Sequence, residues 1–326
     1  MSRFQSLRRK ACRRNLSLRN AALICNPFAG WRNARRSHQL RDAIAVLRNA
    51  GIAATIKYTS NPGDGEELAR AAVDSGCDLV IACGGDGTIN EVINGMAPSR
   101  TPLAILPGGT ANIVARELRL PGSIARAAKQ LPSWSPCRIP LGRASWNDSG
   151  SPRRRYFIAV AGIGFDAHII SQLNVPLKLR MGVAAYVYEA LRQTFRYGFP
   201  GFECAVNGQK VSGTFAVVQR SRRYAGWLRL ARSHSIRDLK FSCAHFKSDR
   251  PRRYFLYALA VLTQTHHRLP DVAFLRGSHV CCTGSKPDEA IYFEVDGELA
   301  GRLPVSFETV PDALTLMAPQ SFTTSP

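Results

Sequence analysis

Between Asp78 and Glu91 an apolar run, Leu79-Val80-Ile81-Ala82-Cys83, leads into Gly84-Gly85-Asp86-Gly87 and then Thr88-Ile89-Asn90-Glu91. A short run with no polar alternation predicts a strand buried on both faces. Three glycines in the next four residues let the backbone turn tightly and approach a ligand closely. Because Thr88 and Asn90 then open a helix, the N–H groups of its first turn converge on any anion beyond the strand. A strand-to-helix turn with an aspartate cap would look the same in isolation, so the neighbouring segments have to decide.

They repeat the device. Leu103 to Leu106 is followed by Pro107-Gly108-Gly109-Thr110-Ala111-Asn112, and Ala21 to Ile24 by Asn26-Pro27-Phe28-Ala29-Gly30. Helical patterns at Arg35–Arg48, Glu66–Ala72 and Ile89–Met96 alternate with these strands and with Ala53–Tyr58, which ends at Thr59. Such alternation predicts βαβ units and a parallel sheet, and ligands on such sheets bind beyond the carboxyl ends of the strands. Those ends carry Asn26-Pro27, Thr59, Gly84-Gly85-Asp86 and Gly108-Gly109-Thr110.

After Leu131–Pro140 the pattern changes to short strand-like segments, Tyr156–Val160, Phe202–Val206, Phe215–Val218, Lys240–Ala244 and Ala290–Val295, interrupted by an amphipathic helix near Gly182–Phe195. A chain of 326 residues suits two domains, at ~100 to 200 residues each. We therefore expect a basic arm (1–20), an α/β domain (21–131) and a β-rich domain (133–317) whose last strand returns to the first.

The 44 Lys and Arg against 23 Asp and Glu give a net charge of +21, which attracts polyanions whatever the fold. Seven basic residues and no acid fall in residues 1 to 20, and eleven basic residues between Gln219 and Arg253 face only Asp238 and Asp249. An anionic membrane surface is the expected partner for both clusters; no recognised nucleic-acid motif accompanies the charge. Tyr254–Leu262 is too short for a membrane span of ~20 residues. The basic N-terminus lacks the apolar stretch of a secretory signal. Nine cysteines without a CxxC pair suggest reduced thiols. The expected location is cytoplasmic, with peripheral membrane association, and homo-oligomerisation is left open.

In these motifs the sequence resembles the diacylglycerol kinase catalytic-domain family, which includes bacterial lipid kinases and sphingosine kinases and shares its fold with NAD kinases. The resemblance rests on Asn26, Pro27 and Gly30, on Thr59 with Gly63-Asp64, on Gly84 to Glu91 and on Leu106 to Asn112. It continues through Ala161-Gly162-Ile163-Gly164-Phe165-Asp166-Ala167, the helix around Tyr186 and Val295-Asp296-Gly297-Glu298. It implies a Rossmann-like nucleotide-binding domain followed by a β-sandwich, and transfer of the γ-phosphoryl group of ATP, with Mg²⁺, to a lipid alcohol. Asn26, Pro27, Gly30, Thr59, Gly84, Gly85, Asp86, Gly87, Thr88, Ile89, Asn90, Gly108, Gly109, Thr110 and Asn112 would surround the nucleotide, Asp86 facing it or its metal. Asp296 would be the general base and Glu298 its support. From the residues alone, Asp296-Gly297 is a hairpin turn.

Two departures stand out. Ile113 follows Asn112 where the family often has Asp, which removes a polar side chain. Ala231 to Leu239 replaces a loop assigned to a structural Mg²⁺, leaving Asp238 as its sole carboxylate. Gly162-x-Gly164-x-x-Ala167 also fits a dinucleotide fingerprint, but the acidic residue required ~20 positions on is lacking at a strand end; Glu189 lies in a helical pattern. An NAD kinase-like phosphotransferase and a non-catalytic lipid-binding protein remain the alternatives.

Overall fold

The computed structural model describes residues 18–28, 34–173, 183–224, 228–231, 234–286 and 288–323, with backbone only at 34–36 and 183–185. Gly30 and most of the basic arm, residues 1–17, lie outside them. The chain forms two compact units, one up to Ile139 and again from Asp312, the other from Pro140 to Pro311.

The first unit alternates β1 (Asn20–Cys25), α1 (Ala34–Asn49), β2 (Ala53–Tyr58), α2 (Asp64–Asp74), β3 (Leu79–Gly84), α3 (Asp86–Met96), β4 (Pro102–Pro107), α4 (Ile113–Glu117) and α5 (Ile124–Gln130). Its strands are parallel in the order β2-β1-β3-β4. Thr315 and Leu316 add a further parallel strand beside Pro102 and Leu103. Every residue of β3 and β4 is buried, as their unbroken apolar runs require of strands covered on both faces. Leu23, Leu79, Ile81, Ala104 and Leu106 pack with Ala43 and Leu47 of α1 and with Ala127 and Ala128 of α5.

The second unit contains most of β5 (Ser135–Asp148), then β6 (Ser151–Phe157), β7 (Val160–Gly164), α6 (Phe165–Gln172), α7 (Val183–Thr194), β8 (Phe202–Val206), β9 (Gln209–Gly213), β10 (Phe215–Gln219), β11 (Arg223–Tyr224) and β12 (Leu228–Arg229). There follow β13 (Phe241–Phe246), α8 (Pro251–Leu262), β14 (Val272–Gly277), β15 (His279–Gly284), β16 (Tyr292–Val295), β17 (Glu298–Arg302) and the first part of β18 (Val305–Ala318). One antiparallel sheet runs β14-β13-β10-β7-β16-β17; β9, β8, β15 and β18, with β5 beside β18 and β6 beside β5, belong to another. Phe157, Phe202, Phe241, Phe293 and Phe307 fill the core they share, with Phe157 stacked on Phe241 and edge-on to Phe307.

One expectation is corrected here, and one reading set aside from the sequence fails in the structure as well. The run Tyr156–Val160 is not one strand: β6 ends at Phe157 and β7 begins at Val160, because the N–H groups of Ile158 and Ala159 turn to a side chain, Asp296, instead of a neighbouring strand. The dinucleotide fingerprint also fails. β7 pairs antiparallel with β10 and β16, so there is no βαβ unit at Gly162-x-Gly164. The space above Gly162 is filled: a Cβ there would lie 2.4 Å from Asp166 Oδ2 and 2.8 Å from Glu294 Oε1.

Candidate functional site

Parallel order brings the carboxyl ends of β1, β2, β3 and β4 to one edge of the first unit. The ladder there runs one residue past the strands: Asn26 N–H donates to Cys83 O at 3.1 Å, Thr59 N–H to Cys25 O at 3.0 Å and Gly108 N–H to Gly84 O at 2.9 Å. Asn26 Oδ1 accepts the N–H of Phe28 at 2.8 Å, closing its turn, while its amide donates to Thr88 Oγ1 at 3.3 Å.

The two glycine turns are in contact. A Cβ on Gly109 would stand 2.5 Å from Gly85 Cα, and one on Gly84 would stand 2.6 Å from the Thr88 side chain. Asn112, at φ 49° in the left-handed region, binds both polar groups of Gly109, accepting its N–H at 2.9 Å and donating to its carbonyl at 2.7 Å. Asp86 Oδ1 accepts the N–H of Ile113 at 2.7 Å. The isoleucine side chain at 113 is itself buried and apolar, so only its main chain takes part in this contact.

Glu91 fastens a further loop to this edge, its carboxylate accepting the N–H groups of Gly63 and Gly65 at 2.9 and 3.0 Å. Backbone N–H groups of Ser60 and Asn61 hold the Asp64 carboxyl below its ordinary pKa. Not every expected residue faces outward. Thr110 is exposed, and the first-turn N–H groups of α3, at Gly87 and Thr88, have no intrahelical acceptor. Ile89 lies in the core and the buried Asn90 side chain accepts from Asn94 at 3.2 Å; both support α3 from within.

In the second unit Asp296 and Gly297 have φ values of 49° and 87° and join β16 to β17, with Val295 paired to Glu298. This is the two-residue hairpin that Asp-Gly predicts, both residues being left-handed. Yet Asp296 is buried. Its Oδ1 accepts the N–H groups of Ala159 and Val160 at 2.9 and 3.0 Å, and its Oδ2 that of Ile158 at 2.9 Å. A carboxylate has about four acceptor directions, so three donors fix its orientation. The Glu298 carboxylate pairs with Arg155 at 2.5 Å.

Sequence reasoning missed a buried polar cluster beside this turn. The Asp166 and Glu294 carboxyls cover Gly162 together. Tyr186 O–H donates to Asp166, and Tyr224 O–H lies 3.4 Å from Tyr186 O–H. Burial raises the pKa of Asp166, and burial together with Asp166 raises that of Glu294 well above the usual carboxylate range. Glu294 Oε2 accepts the N–H of Gly297 at 2.6 Å, which ties the cluster to the Asp296 turn. The resemblance passes through Asp166 and the helix around Tyr186 without giving them a role, and a glutamate among the apolar residues of Tyr292–Val295 is the further signal.

Arg220 is corrected from surface to interior. Expected within a basic patch, it is fully buried; Nη2 donates to the carbonyls of Ile236 and Asp238 at 2.7 and 2.9 Å, while Nε and Nη1 have no hydrogen-bond partner among the described residues. Burial lowers its pKa to about 10, against the opposing influence of Asp238 and Asp296.

Asp238 Oδ2 lies 2.9 Å from His234 Nδ1 and 3.6 Å from Arg276. Among the described residues no three His, Cys, Asp or Glu side chains gather as a metal site would need. Asp86 is the carboxylate at the glycine turns, and one carboxylate suits a Mg²⁺ that arrives on nucleotide phosphates.

Comparison with known proteins covers most of the chain. Residues 20–144 match the model of the diacylglycerol kinase catalytic domain, and residues 159–318 that of the YegS C-terminal NAD kinase beta sandwich-like domain. The diacylglycerol kinase of Bacillus subtilis (strain 168) is 28% identical over 295 residues, 89% of this chain and 93% of its own. That of Mycobacterium tuberculosis (strain H37Rv) is 28% identical over 304 residues, 91% and 94% of the two chains. A crystal structure of a diacylglycerol kinase from Bacillus anthracis str. Sterne superposes with a TM-score of 0.68 at 20% identity, over 94% of this chain and 99% of that one. A second structure from that organism gives 0.75 at 22%, over 93% and 96%. These two establish the fold.

Proposed function

We propose that this chain, which belongs to the diacylglycerol kinase catalytic-domain family, is an ATP-dependent lipid kinase that moves the γ-phosphoryl group onto the hydroxyl of a diacylglycerol-like or sphingoid lipid. The observation that carries this is the edge where Asn26, Thr88, Gly85, Asp86, Gly109 and Asn112 are locked together by hydrogen bonds and glycine contact. Relatives of nearly equal length are named diacylglycerol kinase.

In this reading the glycine turns and the start of α3 hold the nucleotide phosphates by backbone N–H groups, as helix N-termini after glycine turns do. Mg²⁺ would be held by those phosphates and Asp86 and would offset their charge. Phosphoryl transfer passes through a loose transition state in which positioning and charge neutralisation dominate. The lipid oxygen bonds to the γ-phosphorus, the bond to the β–γ bridging oxygen breaks, ADP leaves and the hydroxyl proton passes to Asp296. Three N–H donors hold the Asp296 carboxylate in one orientation, which suits a group whose task is to meet the hydroxyl and take its proton late. Glu298 holds Arg155 beside the same turn. Such an enzyme meets its acceptor at a bilayer.

The test is to incubate the protein with γ-labelled ATP, Mg²⁺ and a panel of diacylglycerol, monoacylglycerol, a sphingoid base, ceramide and NAD. Label is expected in a lipid. Label in NAD alone would overturn the reading.

A further inference from the structure

Helix α8 of the second unit is apolar on two sides, and its neighbour α7 buries Glu189, Gln193 and Thr194 while exposing an apolar stripe. Tyr254, Tyr257, Ala260 and Val261 of α8 are buried in the fold. The opposite face offers Phe255, Leu259 and Leu262 at 39, 57 and 52% exposure, spaced four and three residues apart and so on one stripe. Val187 and Leu191 of α7, with Phe195 just beyond it, are 51, 50 and 71% exposed and four residues apart, again on one stripe. The rings of Phe195 and Phe255 lie 5.5 Å apart, which joins the two stripes into one surface. Scattered exposed leucines are ordinary, whereas a contiguous apolar patch with a polar rim marks a contact surface.

The rim is basic. Arg196 follows α7, and Arg250 and Arg252 flank the start of α8; these three have no acidic partner among the described residues, whereas Arg192 pairs with Glu189 and Arg253 with Asp271. Exposed Tyr188 stands at the edge, where an amphipathic ring suits a membrane interface. Apolar side chains at the centre with arginines around them fit the boundary between anionic headgroups and acyl chains. They fit a second copy of this chain poorly, because a two-fold contact sets each patch against itself and gathers the unpaired arginines of both copies.

We propose that the α7–α8 face is the surface by which this protein docks on an anionic lipid bilayer. Its purpose rests on the lipid-kinase reading, but its test does not. Flotation of the full-length protein without nucleotide would compare vesicles of phosphatidylcholine with vesicles of phosphatidylcholine and phosphatidylglycerol in equal parts. Wild type is expected to float with the second only. Leu191→Glu with Leu259→Glu is expected to weaken that partition at least about tenfold, and Arg196→Glu with Arg252→Glu to remove the preference for anionic lipid. Leu239→Glu, at a site 58% exposed outside both helices, should change nothing. Matched thermal unfolding of the variants excludes misfolding. Undiminished flotation of the Leu191/Leu259 variant would overturn the proposal, as would a wild-type dimer that this variant dissolves. Loss of kinase activity in the labelling assay would bear on the enzyme reading alone.

Discussion

The carboxylate of Asp86 accepts the backbone N–H of Ile113 at 2.7 Å, so one side chain ties the start of α3 to the start of α4. Removing it in Asp86→Ala should cost about 1 to 2 kcal/mol, the usual worth of a helix-capping acceptor. Asp86→Asn keeps an acceptor oxygen and should unfold within a few degrees of wild type, yet transfer phosphate at least about a hundredfold more slowly if the charge serves the nucleotide's metal. Thermal unfolding and the labelling assay on both variants separate these roles; full activity in Asp86→Asn would leave Asp86 a purely structural cap.

Gly109 has no room for a methyl group. A Cβ would lie 2.5 Å from Gly85 Cα, an atom of the main chain, so Gly109→Ala must push the two turns apart. The expected cost is about 1 to 3 kcal/mol of stability, the range for overpacking, and at least about a tenfold loss of nucleotide affinity. Gly122→Ala, where nothing lies within 4 Å, is the control and should be neutral. Urea unfolding and nucleotide titration read both effects; unchanged nucleotide affinity in Gly109→Ala would remove the turn contact from the binding site.

Asp296→Asn presents an amide N–H₂ to N–H donors that a carboxylate accepts from Ile158, Ala159 and Val160. Asparagine tolerates the left-handed backbone, so the turn itself survives, at an expected cost of about 1 to 3 kcal/mol for the mismatched donor. Transfer should be abolished while nucleotide affinity stays within about twofold, because the glycine turns belong to the other unit. Single-turnover labelling beside nucleotide titration checks this, and retained transfer would eliminate Asp296 as proton acceptor.

The pH response of stability is set in part by Glu294, whose folded-state pKa is raised by burial and by Asp166. A carboxyl with a raised folded-state pKa holds its proton more tightly folded than unfolded. Its contribution is complete below the unfolded value of about 4.3 and is lost as pH rises through the folded value. The part of the unfolding free energy that Glu294 supplies is therefore expected to fall on going from acid to alkaline pH. Glu294→Gln, which keeps an acceptor for Gly297 N–H, should flatten that slope. Urea unfolding across a pH series tests it; an identical slope in the variant would exclude Glu294 as the source.

The strands of the first unit were legible because their signals are local. An apolar run bounded by glycine turns dictates a buried strand and its exit wherever the chain puts it, and β2 was bounded at Ala53 and Tyr58 from pattern alone. The helix near Gly182–Phe195 was equally plain and forms as Val183–Thr194. By contrast Tyr254–Leu262 gave a bare apolar run, and only the packed structure divides it into a buried and an exposed face as part of α8.

What the amino-acid order determined by itself was the alternation of β1 to β4 with their helices, the glycine turns at their carboxyl ends and the left-handed Asp-Gly hairpin, all consequences of side-chain period and backbone freedom within a few residues. Tertiary structure alone decided that Asp296 turns inward to three N–H groups, that Ile113 serves Asp86 through its main chain, that Arg220 is interior and that Glu294 lies over Gly162 with Asp166. Each of these is a buried polar group satisfied by a partner far along the chain. Burial obliges such a group to find a partner, but which one it finds depends on the strands that flank it, and local periodicity carries no record of that.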